Sequence, residues 1–344
     1  MKYSKALPTF SLALLSLSAY PQYTAEILPT PNGFGEAMGA GGGQIIGAGF
    51  GEGGGPFLWE GPPYKKYVNL HPAEFDVSAV IGVGGGKQVG YARVQGDRDH
   101  ALMWSGSAQK YVDLDVASYE TGTLAWNTDG KSQVGAGGVG PSIGHALLWQ
   151  GTPESVVDLH PEGYQSSQGY GVCGDRQIGN LEGNIPCMWT GAAESMILLP
   201  LPKGLSHGFA YAIQGDQIVG STTDGATLWN ADTLEITSLG GGGAIDTNGL
   251  QQAGLRGVDG DFHAFAWSGS EESAIDLHQF LPKGYRESRA LGIDESGAIV
   301  GWARRPNMNQ QPFVWTPVPE PSSFLALTLG LGLLGLLARR YKVR

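Results

Sequence analysis

Seven tryptophans, Trp59, Trp104, Trp149, Trp189, Trp229, Trp267 and Trp315, follow one another at intervals of 45, 45, 40, 40, 38 and 48 residues. Each ends a short apolar run: FLWEG at 57–61, ALMWSG at 101–106, HALLWQG at 145–151, CMWTG at 187–191, TLWN at 227–230, AFAWSG at 264–269 and FVWTP at 313–317. A unit that returns about every 40–45 residues with one anchoring aromatic marks a repeat architecture. In such a fold each unit is too small to cover its own apolar faces and is stable only stacked on its neighbours.

Each repeat divides into four runs. The first carries small residues, as in HGFAYAI at 207–213 and SRALGI at 288–293. The second is of the Gln-x-Val-Gly type: QIIGAG at 44–49, QVGYA at 88–92, QVGAGG at 133–138, QIGN at 177–180, QIVGS at 217–221, QQAGL at 251–255 and AIVGWA at 298–303. The Trp unit is third. The fourth is YVNL at 67–70, YVDL at 111–114, VVDL at 156–159, MILL at 196–199, EITSL at 235–239 and AIDL at 274–277. Between the first and second runs stand Asp129-Gly130, Gly215-Asp216, Asn248-Gly249 and Ser296-Gly297. Such pairs predict two-residue hairpin turns, which need positive φ.

In the third run of the third repeat, side chains alternate: His145, Leu147 and Trp149 face one way, Ala146 and Leu148 the other. Both faces are largely apolar, as expected of a sheet sandwiched between two others. Four strands in each of seven repeats predict an all-β fold, a seven-bladed β-propeller of four-stranded blades over residues 19–317. The 56 glycines suit crowded inner strands. The seven tryptophans are its predicted core. The seventh repeat lacks a fourth run, because Pro317, Pro319 and Pro321 cannot donate to a ladder. The YTAEIL run at 23–28 belongs to no repeat. Pairing it beside 312–316 predicts a blade completed by the two ends of the ring, which also covers an open edge.

The ends read differently from the body. Lys2 and Lys5 precede an apolar stretch from Ala6 to Ala19 broken by Pro8. That predicts a signal peptide over 1–18, with Ser16 and Ser18 near its cleavage site; the alternative is a buried strand of the first repeat. At the other end, Pro319-Glu320-Pro321 is followed by SFLALTLGLGLLGLLA at 323–338 and RRYKVR at 339–344. The apolar run is marginal for a membrane span, and Arg339 and Arg340 favour a cytoplasmic end. This three-part tail over 318–344 resembles the PEP-CTERM sorting signal of Gram-negative bacteria. The resemblance implies removal by an exosortase-type protease after transient anchoring of the C-terminal helix in the inner membrane. It places the body at the outer surface or in the extracellular matrix. A plain membrane anchor is the alternative.

The Trp units also resemble the HAF repeat of extracellular bacterial proteins. His263-Ala264-Phe265 matches it, His100-Ala101-Leu102 and His145-Ala146-Leu147 nearly so, while Pro186-Cys187 and Ala226-Thr227 depart. That resemblance implies export and a propeller-like repeat, without an agreed activity.

Charge excludes one class of partner. Setting aside Lys2, Lys5, Arg339, Arg340, Lys342 and Arg344 leaves 15 basic residues against 32 acidic, a balance of −17. Nucleic-acid binding needs clustered Lys and Arg, so it is not expected.

Several motifs resemble sites of chemistry and read better as structure. Gly140-Pro141-Ser142-Ile143-Gly144 has the spacing of a nucleophile elbow, but a Trp strand follows where a helix is required. Gly49, Gly51 and Gly54 fit a dinucleotide pattern without its helix. His100, His145 and His263 recur at like positions on separate blades, which predicts a shared structural hydrogen bond over a joint metal site. Asp113, Asp158 and Asp276 recur before Leu and read as turn-capping carboxylates over glycosidase acids. Asp259-Gly260-Asp261 lacks the ligand count of a dedicated calcium site. Cys173 and Cys187 sit on the first and third runs of one repeat, roughly 9–10 Å apart by strand spacing, too far for a disulfide. No catalytic, metal or cofactor residue is assigned. The expected function is a non-enzymatic binding or scaffold protein of the cell envelope or biofilm matrix, with exopolysaccharide as candidate partner. The alternative is a secreted carbohydrate-active propeller, a glycoside hydrolase or lyase. An enzyme would carry, in one repeat, polar residues unlike those of the others, converging on one end of the channel.

Overall fold

The structure, a computed structural model, describes residues 22–140 and 143–319. The predicted signal peptide, Glu320, Pro321, the apolar tail helix, Arg339 and Arg340 lie outside the described residues. Among the described residues no helix is long and apolar enough to cross a membrane.

Seven four-stranded antiparallel sheets form the ring. Blades 1 to 6 run from Gly35 to Asn69, Val77 to Asp113, Thr123 to Asp158, Ser167 to Leu198, Gly208 to Ser238 and Gly243 to Asp276, each with its strands in chain order. Blade 7 takes Glu287–Ile293, Ile299–Arg304 and Gln311–Val318 from one end of the chain and Gln22–Ile27 from the other. Leu28 N donates to Pro312 O at 2.9 Å, and Thr24 Oγ1 reaches Thr316 O at 3.5 Å, so the terminal strand runs antiparallel to its neighbour. Tyr23 is buried in the core between blades 6 and 7, and Leu28 in the core between blades 7 and 1. First strands of successive blades touch around the ring, including blade 7 to blade 1.

The seven tryptophans are all at 0% exposure. In four blades the Trp stands opposite the glutamine of the second run: Gln88 with Trp104, Gln133 with Trp149, Gln177 with Trp189 and Gln252 with Trp267. Each of these glutamines is buried, and each accepts the N–H of the glycine two residues past its Trp at 2.7–2.8 Å. The bond gives that half-buried turn amide an acceptor inside the protein. In blades 1, 5 and 7 the Trp faces Ile45, Ile218 or Ile299 instead. There its indole N–H donates to the chain entering the blade, at Pro29, Pro200 or Leu277 O.

The turns differ from the sequence expectation. Gly215-Asp216 is a two-residue connection, but Asp129-Gly130, Asn248-Gly249 and Ser296-Gly297 lie in loops of four or five residues. The cause is local. Asp129, Asn248 and Asp294 each turn a side-chain oxygen back onto amides two to four residues ahead. This Asx geometry makes a longer loop favourable, and the glycine takes positive φ within it.

Candidate functional site

Every first strand carries a β-bulge at its centre. Pairing with the second strand skips one residue in each of the seven blades. The bulge explains the glycine that closes each Gln-x-Val-Gly run. A Cβ on Gly135 would lie 1.9 Å from Leu124 O, and the equivalent glycines of the other six blades are blocked at 1.8–2.0 Å. Bulges re-aim a side chain, and here all seven skipped residues line a central cavity of about 340 Å³. Blades 3, 4 and 5 contribute Trp126, Tyr170 and Tyr211. Blades 1, 2, 6 and 7 contribute Met38, Ile81, Ile245 and Leu291. One wall of the channel is therefore aromatic and the rest aliphatic. The Trp126 and Tyr170 rings stand 6.0 Å apart, tilted by 47°.

The residue after the bulge is Gly39, Gly82, Gly171, Ala212 or Gly292 in five blades. Blade 3 has Asn127 and blade 6 has Asp246 in that place. Asp246 accepts Thr247 N and Ile293 N, both at 2.9 Å. Burial, then the charge of Glu295, pushes its carboxyl up to about 7. Nearer the first turn, Asp129 accepts Gly174 N and Glu295 accepts Gly42 N, each at 3.0 Å from the next blade.

Sequence reasoning missed this ring of residues. Its signal is a small–large–small triplet in most first runs, as in Ala125-Trp126-Asn127, Gly169-Tyr170-Gly171 and Ala210-Tyr211-Ala212.

The recurring His and Asp residues lie away from the channel and pair with each other. Nδ1 of His100, His145 and His263 meets Oδ2 of Asp113, Asp158 and Asp276 at 2.9, 2.7 and 2.9 Å. The other oxygen of each carboxylate caps the turn, accepting the amide two residues on at 2.8–2.9 Å. In blades 3 and 6 a second histidine stacks on the first with ring centres 4.0 Å apart: His160 on His145 and His278 on His263. Nδ1 of His160 meets Ser167 Oγ at 2.9 Å, and that hydroxyl accepts Ala146 N. His278, Ser288 and Ala264 repeat the chain. Ser167 and Ser288 are buried on the next blade's first strand, so the network stitches blades together.

Burial, then the adjacent histidine, pushes the His160 and His278 imidazoles below their ordinary range. They stay neutral in the fold and gain protons more readily when unfolded. Their contribution is present above about pH 6.5 and is lost as pH falls toward their folded values. Asp246, shifted upward, acts oppositely, because its folded form holds a proton that the unfolded chain releases. Asp246→Asn removes that opposing titration. In this background, thermal melting between pH 7.5 and 5.5 should fall with pH. Adding His160→Gln and His278→Gln should flatten the dependence; an unchanged slope would contradict this assignment.

The other candidates resolve as structure. Strand, with no helix, resumes at Ile143 after Gly140, while Pro141 and Ser142 lie outside the described residues. Gly51 and Gly54 lie in the connection between two strands. Asp259-Gly260 is a two-residue hairpin turn with both φ positive, and Asp261 is held by Arg286 at 2.9–3.0 Å. Cys173 and Cys187 are free thiols, and burial pushes the Cys187 thiol up. Among the described residues no cluster of three His, Cys, Asp or Glu is placed to hold a metal ion. Pro319 is exposed.

Residues 317–342 match the model of the PEP-CTERM protein-sorting motif. No curated protein matches the chain. Among solved structures, an oligogalacturonate lyase from Vibrio parahaemolyticus superposes with a TM-score of 0.56 at 10% identity, over 88% of this chain and 98% of the lyase. TolB from Acinetobacter baumannii gives 0.38 at 12% identity, over 68% and 52%. The likeness to the lyase is one of fold alone. The chain is a seven-bladed propeller with a PEP-CTERM motif at its C-terminus, which implies processing by an exosortase and export to the cell surface.

Proposed function

We propose that the ring works at the cell surface or in the biofilm matrix as a non-enzymatic binding and scaffold protein, after release from its C-terminal helix. Exopolysaccharide is the candidate partner. One observation carries this reading: the recurring carboxylates and histidines, the natural candidates for acid–base work, are engaged in bonds to each other within their own blades. Each of His100, His145 and His263 is matched to its own aspartate at 2.7–2.9 Å.

A second reading, a glycan-active enzyme, is favoured by Asn127 and Asp246, which break the Gly or Ala pattern at one channel level. Glycoside hydrolysis needs two carboxyl groups held at a set separation across the scissile bond. Two of Asp129, Asp246 and Glu295 would have to serve, although each accepts at least one backbone N–H.

Protein isolated from its native host separates these readings. Intact mass should show loss of both the leader and the segment after Pro319-Glu320-Pro321. Incubated with the host's own matrix polysaccharide, the protein should co-sediment with it and leave its chain length unchanged. Newly formed sugar ends at a catalytic rate would make it an enzyme. A stable full-length species in the membrane would contradict the processing.

A further inference from the structure

We propose that the central channel is a binding site for a small organic cation, a substituted ammonium of about choline's size. This rests on the binding reading but concerns the channel alone: a ring that failed here would still hold matrix at its outer surface.

Three features of the wall converge. Its aromatic side, Trp126, Tyr170 and Tyr211, comes from three consecutive blades at one level, set there by the bulges. Aromatic faces attract cations through the ring quadrupole, with more effect when water is excluded. The acidic groups lining the same cavity are the carboxyls of Asp129, Asp246 and Glu295, of which Asp246 is negative only above about pH 7. Among the described residues no lysine, arginine or histidine lines it. Blade 7, which carries Glu295, lies across the ring from blades 3 and 4. A cation in the channel therefore meets aromatic rings on one side and shares the cavity with Glu295, which lies nearer the first turn. The cavity, at about 340 Å³, is of small-molecule size.

The alternatives fit less well. An anionic saccharide meets like charge on entry. A neutral sugar stacks on the aromatic wall but brings no charge to balance the carboxylates of the cavity. A positive charge in the channel would act on Asp246. Of the groups lining the cavity with it, Glu295 from blade 7, Tyr211 and Gln214 from blade 5, and Asp129 farther round the channel, none is cationic. Its carboxyl is pushed up to about 7 by burial and by Glu295, against the two amides that favour its charged form. A bound cation favours the ionised carboxylate, so binding releases a proton and tightens as pH rises through that value.

The test uses the full-length chain in a polyoxyethylene detergent, titrated calorimetrically. The probes are choline, its uncharged carbon isostere 3,3-dimethyl-1-butanol, and maltose. Choline should bind, with the isostere at least tenfold weaker. Its affinity should fall about tenfold from pH 8 to pH 6, as one proton linked at about 7 requires. Asp246→Asn should remove that pH dependence. Tyr211→Leu and Trp126→Leu, each checked for an unchanged circular dichroism spectrum, should each weaken choline by about fivefold or more. Equal binding of choline and the isostere would overturn the proposal. So would binding of maltose without choline, absence of choline binding, or an affinity that does not change with pH.

Discussion

Trp149→Ala should destabilise the propeller by about 3–5 kcal/mol, the range for truncating a buried tryptophan. The indole is at 0% exposure and packs among Val89, Leu147 and Tyr119 at the junction of blades 2 and 3. Losing it removes apolar contact from two blades and opens a cavity that the strands cannot collapse into, because Gly135 and Leu124 already pack backbone on backbone. Molecules that remain folded should bind as before, since Trp149 does not line the channel. Urea unfolding checks the first statement and a binding isotherm the second. Unchanged stability with lost binding would make Trp149 a site residue and refute its place in the core.

Deleting residues 19–28 should have an effect of similar or greater size. The deletion removes the outer strand of blade 7 and uncovers the edge of Gln311–Val318. Tyr23 and Leu28 are buried at 4% and 2% exposure. Burying each such side chain is worth roughly 1.5–3 kcal/mol, so their loss alone costs on the order of 5 kcal/mol. For a chain this long that is a drop in melting temperature of roughly 10 °C. The newly open edge would also invite association between copies. A shortened chain that melted at the same temperature as a monomer would show that the terminal strand does not close the ring.

How much of this was legible in the sequence depends on the range of the interaction. The blades were legible because burying one Trp per unit imposes a period, and the strand content of each unit follows from four apolar runs. The missing fourth run before Pro317, set against an unassigned run at 23–28, pointed to the pairing with Gln311–Val318. Turn length was not legible. Asp129-Gly130 has the composition of a two-residue turn, but the Asp129 carboxylate reaches Lys131 and Ser132 amides and holds a longer loop.

The channel was not legible either. Trp126 and Tyr170 lie 44 residues apart, and only a bulge in each strand turns both toward one axis. The small–large–small triplets carried that information, but strict alternation would have assigned those residues to a blade face. His145 and Asp158 were each read as structural, one as a strand-start hydrogen bond and the other as a turn cap. Their pairing depends on the third and fourth strands lying side by side, which residue composition does not encode. The tail was the plainest feature, because its three parts occur in fixed order along the chain and need no folding to be seen.

Closure of the ring by its two ends underlies the core, the channel and the blade-to-blade network alike. Native-state hydrogen exchange tests it without altering a residue. Amides of Gln22–Leu28 and of Gln311–Val318 should exchange together, as slowly as those of the second strands of the other blades. Rapid exchange of Gln22–Leu28, with the rest of the ring protected, would contradict the account.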